Sequence, residues 1–236
     1  MKKITLLCLS ISCLFWSMAS LKARAQDETA VQLMQSIQPS LVEVRAEDTK
    51  TFSNNNGQSA SATYHSQGNG IIIDSHGIIV TSTHIVANTP HIYVGLSDGT
   101  VLEAKLVYSS DADFSFLKVK PPYPLSVVTW ADSSVPKEGT SVITLSNADD
   151  NQQHILGGVI TSLINGASSG NVEAFELNFT LYHGDSGGPL LDEQGHLLGL
   201  IMGKQLDQNN KSYAIASNKI QQEYAQHVQN LNLEEQ

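Results

Sequence analysis

Residues 184–189 (GDSGGP) surround a serine with glycines, in the last quarter of the 236-residue chain. A serine hydroxyl is a weak nucleophile at neutral pH and needs a general base, and the oxyanion it forms needs backbone N–H donors directed at one point. Glycines beside the serine allow the backbone to take that shape. The run therefore indicates that Ser186 is a nucleophile, and an incidental serine in a glycine-rich surface turn is the alternative.

The base should be a histidine elsewhere in the chain, because catalytic triads are assembled in space and not in sequence. Of the eight histidines, His84 ends the run at residues 79–84 (IVTSTH), which precedes another apolar run. A histidine at the end of a buried strand is positioned by rigid structure, which favours His84. The other seven histidines have simpler explanations. We expect His76 and His196 in turns, His65 in a polar loop, His227 on a helix, and His91 and His154 at the start of strands, while His183 is too close to Ser186 along the backbone.

The carboxylate that orients the imidazole should be buried and should stabilise the imidazolium cation. Asp113 precedes the apolar strand predicted at residues 114–119 (FSFLKV), and we expect apolar neighbours to cover it. Asp111 is predicted to be a solvated turn residue instead. Asp113 is therefore the candidate for the third member of the triad.

These candidates occur in an order and in surroundings that resemble the trypsin-like serine proteases, and within them the bacterial HtrA or Deg branch. The resemblance covers roughly residues 39–218. Its anchors are the segments at 68–74 (GNGIIID), 79–86 (IVTSTHIV), 96–99 (LSDG), 113–119 (DFSFLKV), 184–190 (GDSGGPL) and 213–218 (YAIASN). It implies two six-stranded antiparallel β-barrels, with His84 and Asp113 in the first, Ser186 in the second and the substrate between them.

The resemblance also implies a mechanism, that of a serine endopeptidase acting on protein or peptide substrates. Ser186 attacks the carbonyl, His84 takes and returns the proton, Asp113 holds the imidazole, and the amides of Gly184 and Ser186 form the oxyanion hole. Water then hydrolyses an acyl-enzyme on Ser186. A catalytically silent trypsin fold that binds proteins, as a chaperone-like module does, is the alternative.

By the same resemblance, five residues line the first specificity pocket: Thr180, Leu181, Tyr182, Met202 and Gly203. None of them is acidic. We therefore predict a preference for small or medium apolar side chains over Lys or Arg.

Brief apolar runs punctuated by turn residues fill most of the chain and predict an all-β sandwich or barrel. The proline-rich residues 121–124 (PPYP) are interpreted as the crossing between two β units. Apolar residues at helical spacing predict a short helix at 27–37 and a closing helix at 219–231. The polar residues 51–70 are interpreted as an exposed loop, which follows a first strand at 41–45.

The first 25 residues combine a basic start, an apolar run and the sequence Ala23-Arg24-Ala25, and predict a signal peptide cleaved near Ala25. A membrane anchor is the alternative. We expect a secreted or periplasmic protein with four parts: the signal peptide, a helical segment at 26–40, a protease domain at 41–217 and a C-terminal helix at 218–236. Within the domain the barrels are expected at about 41–120 and 125–217.

Charge and cysteine content exclude several function classes. The net charge is −10 for the whole chain and −14 without residues 1–25, which argues against nucleic-acid or membrane-surface binding. Both cysteines, Cys8 and Cys13, lie in the predicted signal peptide, so no disulfide is expected. The histidines are scattered and no phosphate-binding loop is present, so we predict neither metal nor cofactor.

Three features depart from the HtrA pattern, and the first is the run at residues 146–150 (SNADD), where HtrA-type chains tend to have Gly-Asn-Pro. Those proteases commonly carry PDZ domains, and the residues after 218 are too few for one. They also have asparagine before the nucleophile, where this chain has Asp185. The digestive branch pairs such an aspartate with a freed N-terminus, but no activation site of that kind occurs after residue 25. The partner of Asp185 stays open, and without one the oxyanion loop is expected to be disordered until substrate binds. Monomer and HtrA-like trimer also stay open.

Overall fold

The computed structural model describes residues 32–53, 59–147, 153–204 and 211–229. The chain divides into two units, and the boundary in the sequence falls between Ile37 and Gln38. In the first unit, residues 32–37 form helix α1, as predicted. The predicted signal peptide, residues 26–31 and residues 230–236 lie outside the described residues.

The first barrel is closed and antiparallel, with the strand order β1-β2-β3-β6-β5-β4. A 3-10 turn at Gln38–Ser40 leads into it, and the short helix α2 at Thr83–Val86 follows its third strand. Its strands are β1 Leu41–Ser53, β2 Ser59–Asp74, β3 Ile78–Ser82, β4 His91–Gly95, β5 Val101–Ser109 and β6 Phe114–Lys118.

The second barrel is likewise closed, with the order β10-β11-β12-β9-β8-β7. Helix α3 at Ser217–His227 follows it, two residues earlier than predicted. Its strands are β7 Ser141–Asn147, β8 Gln153–Asn165, β9 Val172–Leu177, β10 Pro189–Leu191, β11 Leu197–Lys204 and β12 Ser212–Ala216. The prediction of two six-stranded barrels with a helix at either end is therefore confirmed.

Each barrel has a hydrophobic core of its own. Val44, Ile79 and Leu117 are completely buried in the first, and Ile160 and Phe175 in the second. Full burial of a side chain of this size contributes roughly 1.5–3 kcal/mol. The short apolar runs of the sequence are thus barrel strands, and they give rigid ends from which loops can hold a site.

The interpretation of residues 51–70 as an exposed loop is wrong. Strands β1 and β2 pair without interruption from Leu41 opposite Ile71 to Ser53 opposite Ser59, so most of the segment is a two-stranded ribbon. Its hydroxyls pair across the strands, Thr49 with Thr63 at 3.1 Å. Both faces are largely exposed, so the ribbon needs no apolar alternation, and this is why the sequence pattern missed it.

The connection through residues 121–124 contains no strand, and it crosses between the barrels as predicted. It is fastened to both of them. The N–H of Leu125 donates to the carbonyl of Ser75 at 2.9 Å, and the N–H of Ala131 donates to that of Leu197 at 3.0 Å. A rigid crossing fixes the position of one barrel against the other.

Helix α3 packs on both barrels, against β9, β11 and β12 of the second and against side chains of the first. The Tyr224 hydroxyl donates to the Asp74 carboxylate at 3.1 Å, and its ring meets Phe116 edge-on at 5.7 Å. The helix is therefore a second clamp between the barrels. Within the described part of the chain, no helix has the length and apolar character needed to cross a membrane.

Candidate active site

His84 and Asp113 form a hydrogen-bonded pair in the first barrel. Nδ1 of His84 lies 2.8 Å from Oδ2 of Asp113, and the backbone N–H of His84 donates to Oδ1 at 3.0 Å. One carboxylate oxygen thus holds the imidazole and the other holds the backbone of the same residue, so the ring has a fixed orientation. With Nδ1 donating to the carboxylate, Nε2 is left to accept a proton.

The backbone at Asp113 is unusual. Its φ is +63°, a left-handed conformation that side-chain-bearing residues adopt rarely. The carbonyl of Asp113 accepts a hydrogen bond from the N–H of Thr83 at 3.1 Å, which ties the turn to the start of α2. Such conformations persist where surrounding structure holds them, and they cluster at functional sites.

Two expectations about this pair need correction. His84 lies on α2 and not at the end of a strand, because β3 already ends at Ser82. The Asp113 carboxylate is not fully buried: its side chain is 30% exposed and that of His84 is 48% exposed. Asp113 is partly exposed because it ends the turn before β6 and lies at the rim of the barrel. Asp111 is exposed in the same turn, as predicted.

Ser186 lies in a pair of consecutive turns. The N–H of Asp185 donates to the carbonyl of Tyr182 at 3.2 Å, and the N–H of Gly188 donates to that of Asp185 at 3.1 Å. The third residue of each turn is a glycine with positive φ, +94° at Gly184 and +78° at Gly187. Type II turns require positive φ at this position, which explains both glycines.

The first barrel holds these turns in place. The N–H of Asn69 on β2 donates to the carbonyl of Ser186 at 2.8 Å, and its side-chain amide donates to the carbonyl of Gly184 at 2.5 Å. The Thr81 hydroxyl donates to the Asn69 carbonyl at 2.6 Å. Asn69, which the sequence analysis did not single out, thus links the barrel of His84 to the loop of Ser186.

Gly68 lies between the side chain of Ile85 and the backbone of Ser186. A Cβ at Gly68 would overlap the side chain of Ile85, the residue after His84, and would lie 2.8 Å from the carbonyl oxygen of Ser186. No hydrogen bond between the Ser186 hydroxyl and His84 occurs among the described residues. Catalytic hydrogen bonds are often long without substrate and tighten in the complex. The structure thus brings together His84 and Asp113 directly, and Ser186 through its loop.

Asp185 has partners, contrary to the possibility that the sequence left open. The residue is completely buried. Its carboxylate accepts hydrogen bonds from the Ser146 hydroxyl at 2.5 Å and from the N–H of Tyr182 at 2.7 Å. The oxyanion loop is therefore tied down, and the expectation of a disordered loop does not hold.

A family model of the trypsin-like peptidase domain matches residues 68–200. The chain belongs to this family. The matched segment begins at Gly68, contains His84, Asp113 and Ser186, and ends in strand β11.

Curated relatives of this trypsin-like chain belong to the HtrA or Deg branch, as the resemblance implied. The periplasmic pH-dependent serine endoprotease DegQ of Escherichia coli (strain K12) is 27% identical over 215 residues, which cover 81% of this chain and 47% of the relative. The serine endoprotease DegS of Salmonella typhimurium (strain 14028s / SGSC 2262) is 31% identical over 152 residues, 61% of this chain and 43% of the relative. The serine protease Do-like HtrA of Bacillus subtilis (strain 168) is 28% identical over 138 residues, 54% of this chain and 31% of the relative. The chain thus spans less than half the length of these relatives.

The residues expected to line the specificity pocket have different surroundings. Leu181 is only 2% exposed and belongs to the core of the second barrel, while its N–H donates to the Ser212 hydroxyl at 3.3 Å. Tyr182 is 58% exposed, Thr180 is exposed and Met202 is half-buried. Ser212, on β12, is a neighbour of this segment that the sequence analysis missed.

Acidic and histidine side chains do not gather into a metal site in the described part of the chain. No group of three or more His, Cys, Asp or Glu residues there is arranged to hold an ion.

Proposed function

We propose that this chain is a serine endopeptidase with Ser186 as nucleophile, His84 as general base and acid, and Asp113 as the orienting carboxylate. The observation that carries the proposal is the double contact from Asp113 to His84, at 2.8 Å to the ring and 3.0 Å to the backbone. A carboxylate that holds one histidine at two points fixes both its tautomer and its direction.

Proton and bond changes follow from these roles. His84 Nε2 takes the hydroxyl proton as the oxygen of Ser186 bonds to the substrate carbonyl carbon, and the carbonyl oxygen becomes an oxyanion. The C–N bond then breaks, and the imidazolium delivers its proton to the departing amine. Water attacks the acyl-enzyme in the same way, so the acid product leaves and the serine is restored.

The amides of Gly184 and Ser186 are proposed to bind the oxyanion. The positive φ of Gly184 and the turn from Tyr182 to Asp185 support this assignment. Loss of one donor of such a hole costs about 2.7–4 kcal/mol of transition-state stabilisation. Much of the rate acceleration would therefore depend on the shape of this turn.

We further propose export, with cleavage near Ala25, and action on protein substrates outside the cytoplasm. The curated name of the DegQ relative describes a periplasmic serine endoprotease, and that name supports the proposal. The N-terminal pattern of basic, apolar and small residues supports it independently.

The proposed specificity is for small or medium apolar side chains before the scissile bond, in a pocket formed by Thr180, Leu181, Tyr182, Met202 and Gly203. The proposal rests on the absence of an acidic residue from this set. Digestion of a peptide library, followed by mass spectrometry of the products, tests it. Cleavage mainly after Lys or Arg would rule it out.

A catalytically silent module that binds proteins is the second candidate. It is the alternative that the sequence leaves open, because a trypsin fold can persist without its chemistry. The two candidates predict different outcomes when an unfolded protein is supplied, because only an endopeptidase produces internal fragments.

The test is incubation of the exported chain with reduced, carboxymethylated α-lactalbumin, with fragments identified by mass spectrometry. We expect internal cleavage by the wild type and none by Ser186→Ala. Ser97→Ala serves as the matched control, because Ser97 is an exposed serine in the turn between β4 and β5. Intact α-lactalbumin in every sample would favour the binding module instead.

A further inference from the structure

The carboxylate of Asp185 is completely buried next to the proposed nucleophile. Each oxygen accepts one described hydrogen bond, Oδ1 from the Ser146 hydroxyl at 2.5 Å and Oδ2 from the N–H of Tyr182 at 2.7 Å. Ser146 itself is 1% exposed. The ion pairs described for residues 32–53, 59–147, 153–204 and 211–229 do not include Asp185. Its position is therefore set by hydrogen bonds.

A buried carboxylate is costly unless its oxygens are hydrogen-bonded, and removal of one partner leaves the full desolvation cost. The bond from Ser146 is therefore a strong restraint on Asp185. Tyr182 precedes Asp185 by three residues in the same loop, whereas Ser146 lies on β7, 39 residues away. Of the two donors, only Ser146 fastens Asp185 to a barrel strand.

Asp185 is part of the turn that shapes the proposed oxyanion hole. Its N–H donates to the Tyr182 carbonyl while its carboxylate accepts from the Tyr182 N–H, so the turn is closed twice. Gly184 is the third residue of that turn. Its carbonyl is held from the other barrel by the Asn69 amide at 2.5 Å. A fixed Asp185 consequently fixes the direction of the Gly184 N–H.

We propose that Ser146 is a positioning residue of the oxyanion hole: its hydroxyl holds Asp185 so that the Gly184 amide is directed at the oxyanion before substrate arrives. The inference rests on the proposed function. It adds a specific role for a residue that touches neither substrate nor the reacting atoms.

Thr144 supplies a matched control on the same strand. Successive side chains of a strand point to opposite faces, so Thr144 and Ser146 share a face of β7. Thr144 is also 1% exposed, yet its hydroxyl has no hydrogen-bond partner among the described residues. Removal of that hydroxyl changes a buried polar group in the same strand without touching Asp185.

The experiment compares Ser146→Thr with Ser146→Val, which have nearly the same shape and differ in the hydroxyl. Thr144→Val makes the same chemical change at the control position. The probe is a fluorophosphonate, whose phosphonylation of serine requires the nucleophile and the oxyanion hole. Saturation kinetics separate the rate of modification from the affinity of initial binding, and urea unfolding gives the folded fraction of each variant.

We expect the modification rate of Ser146→Val to be about 10- to 100-fold below that of Ser146→Thr, with initial affinity unchanged. Thr144→Val should react within about twofold of the wild type, since its lost hydroxyl makes no bond. If the valine variant does not fold, Ser146→Ala, which adds no atoms, replaces it. Loss of folding in every Ser146 variant would assign the residue to stability and overturn the proposal.

Equal modification rates for folded Ser146→Val and Ser146→Thr would also overturn the proposal. That outcome differs from failure of the proposed function. If the wild type itself is not modified at Ser186, the protease assignment is wrong. If it is modified and the Ser146 variants react equally, only the role of Ser146 is wrong.

Discussion

The backbone N–H of Asn69, on strand β2 of the first barrel, donates to the carbonyl of Ser186, in the second barrel, at 2.8 Å. This bond joins the barrel that carries the proposed base to the residue that carries the proposed nucleophile. The approach of the two backbones is so close that a Cβ at Gly187 would overlap the Asn69 carbonyl oxygen. The candidate site therefore depends on this interface between the barrels.

Gly187→Ala should destabilise the fold and abolish fluorophosphonate labelling. A side chain at φ +78° is strained, and here the new methyl group also meets the Asn69 carbonyl. Gly170→Ala is the control, since Gly170 has φ +66° with no atom within 4 Å of the added Cβ. Urea unfolding should show a loss of about 1–2 kcal/mol for Gly170→Ala and a larger loss for Gly187→Ala. Equal losses of unfolding free energy in the two variants would mean that the overlap with the Asn69 carbonyl does not destabilise the fold.

Asp113→Asn should keep the fold and lower the modification rate of Ser186 by about 10³- to 10⁴-fold. Asparagine tolerates the left-handed backbone, and its oxygen can still accept from the His84 N–H. Its NH₂ group, however, faces Nδ1 of His84 and favours the tautomer that cannot accept a proton at Nε2. Asp111→Asn, an exposed residue of the same turn, should react like the wild type. A similar rate for both variants would refute the role of Asp113.

Short-range patterns predicted the barrel strands and the triad candidates for physical reasons. Buried strands such as β6 need mostly apolar side chains, and the positive φ at positions 184 and 187 favours glycine. No such pattern identifies the hydrogen-bond partner of Asp185. Ser146 is an ordinary serine 39 residues away, and only the closure of the second barrel brings the two together. The sequence could show that Asp185 needs a partner but not which residue supplies it.

Asp132 gives the fold a pH dependence at the start of α3. Hydrogen bonds from the Ser134 hydroxyl, from the Ser134 N–H and from the Asn218 amide lower its pKa from 3.8 to about 2. A folded-state pKa below that of the unfolded chain means that the carboxylate stabilises the fold above about pH 3.8, and that this contribution is lost as the pH falls through 2.

The wild type should therefore be more stable than Asp132→Asn at pH 7, and the difference should shrink between pH 4 and pH 2. Urea unfolding midpoints over this range measure it. Asn218→Ala removes one donor and should raise the pKa of Asp132 in a carboxyl ¹³C NMR titration. A stability difference that stays constant from pH 7 to pH 2 would contradict the assignment.

The ribbon beyond the first barrel should be dispensable for the site. Strand β1 pairs with β4 only from Glu43 to Glu47, so the residues beyond Glu47 pair with β2 alone. Replacement of residues 50–62 by an Asn-Gly hairpin turn between Thr49 and Thr63 should leave labelling of Ser186 within about threefold of the wild type. Loss of labelling in a folded variant would show that the ribbon contributes to the site.

The ribbon also shows where sequence patterns fail. Thr and Ser are the commonest residues of its described strands, which face solvent on both sides, so neither alternation nor an apolar run marks them. Pairing of the backbone and of hydroxyls such as Thr51 with Ser61 at 3.0 Å holds it together. Patterns that detect burial could not distinguish this ribbon from a polar loop.

The most direct test of the central claim is mass-spectrometric mapping of fluorophosphonate modification on the exported chain. We predict one modified residue, Ser186, with no modification of Ser186→Ala and a strong reduction in His84→Ala. Modification of a different residue, or equal modification of wild type and Ser186→Ala, would contradict the assignment of Ser186 as the nucleophile.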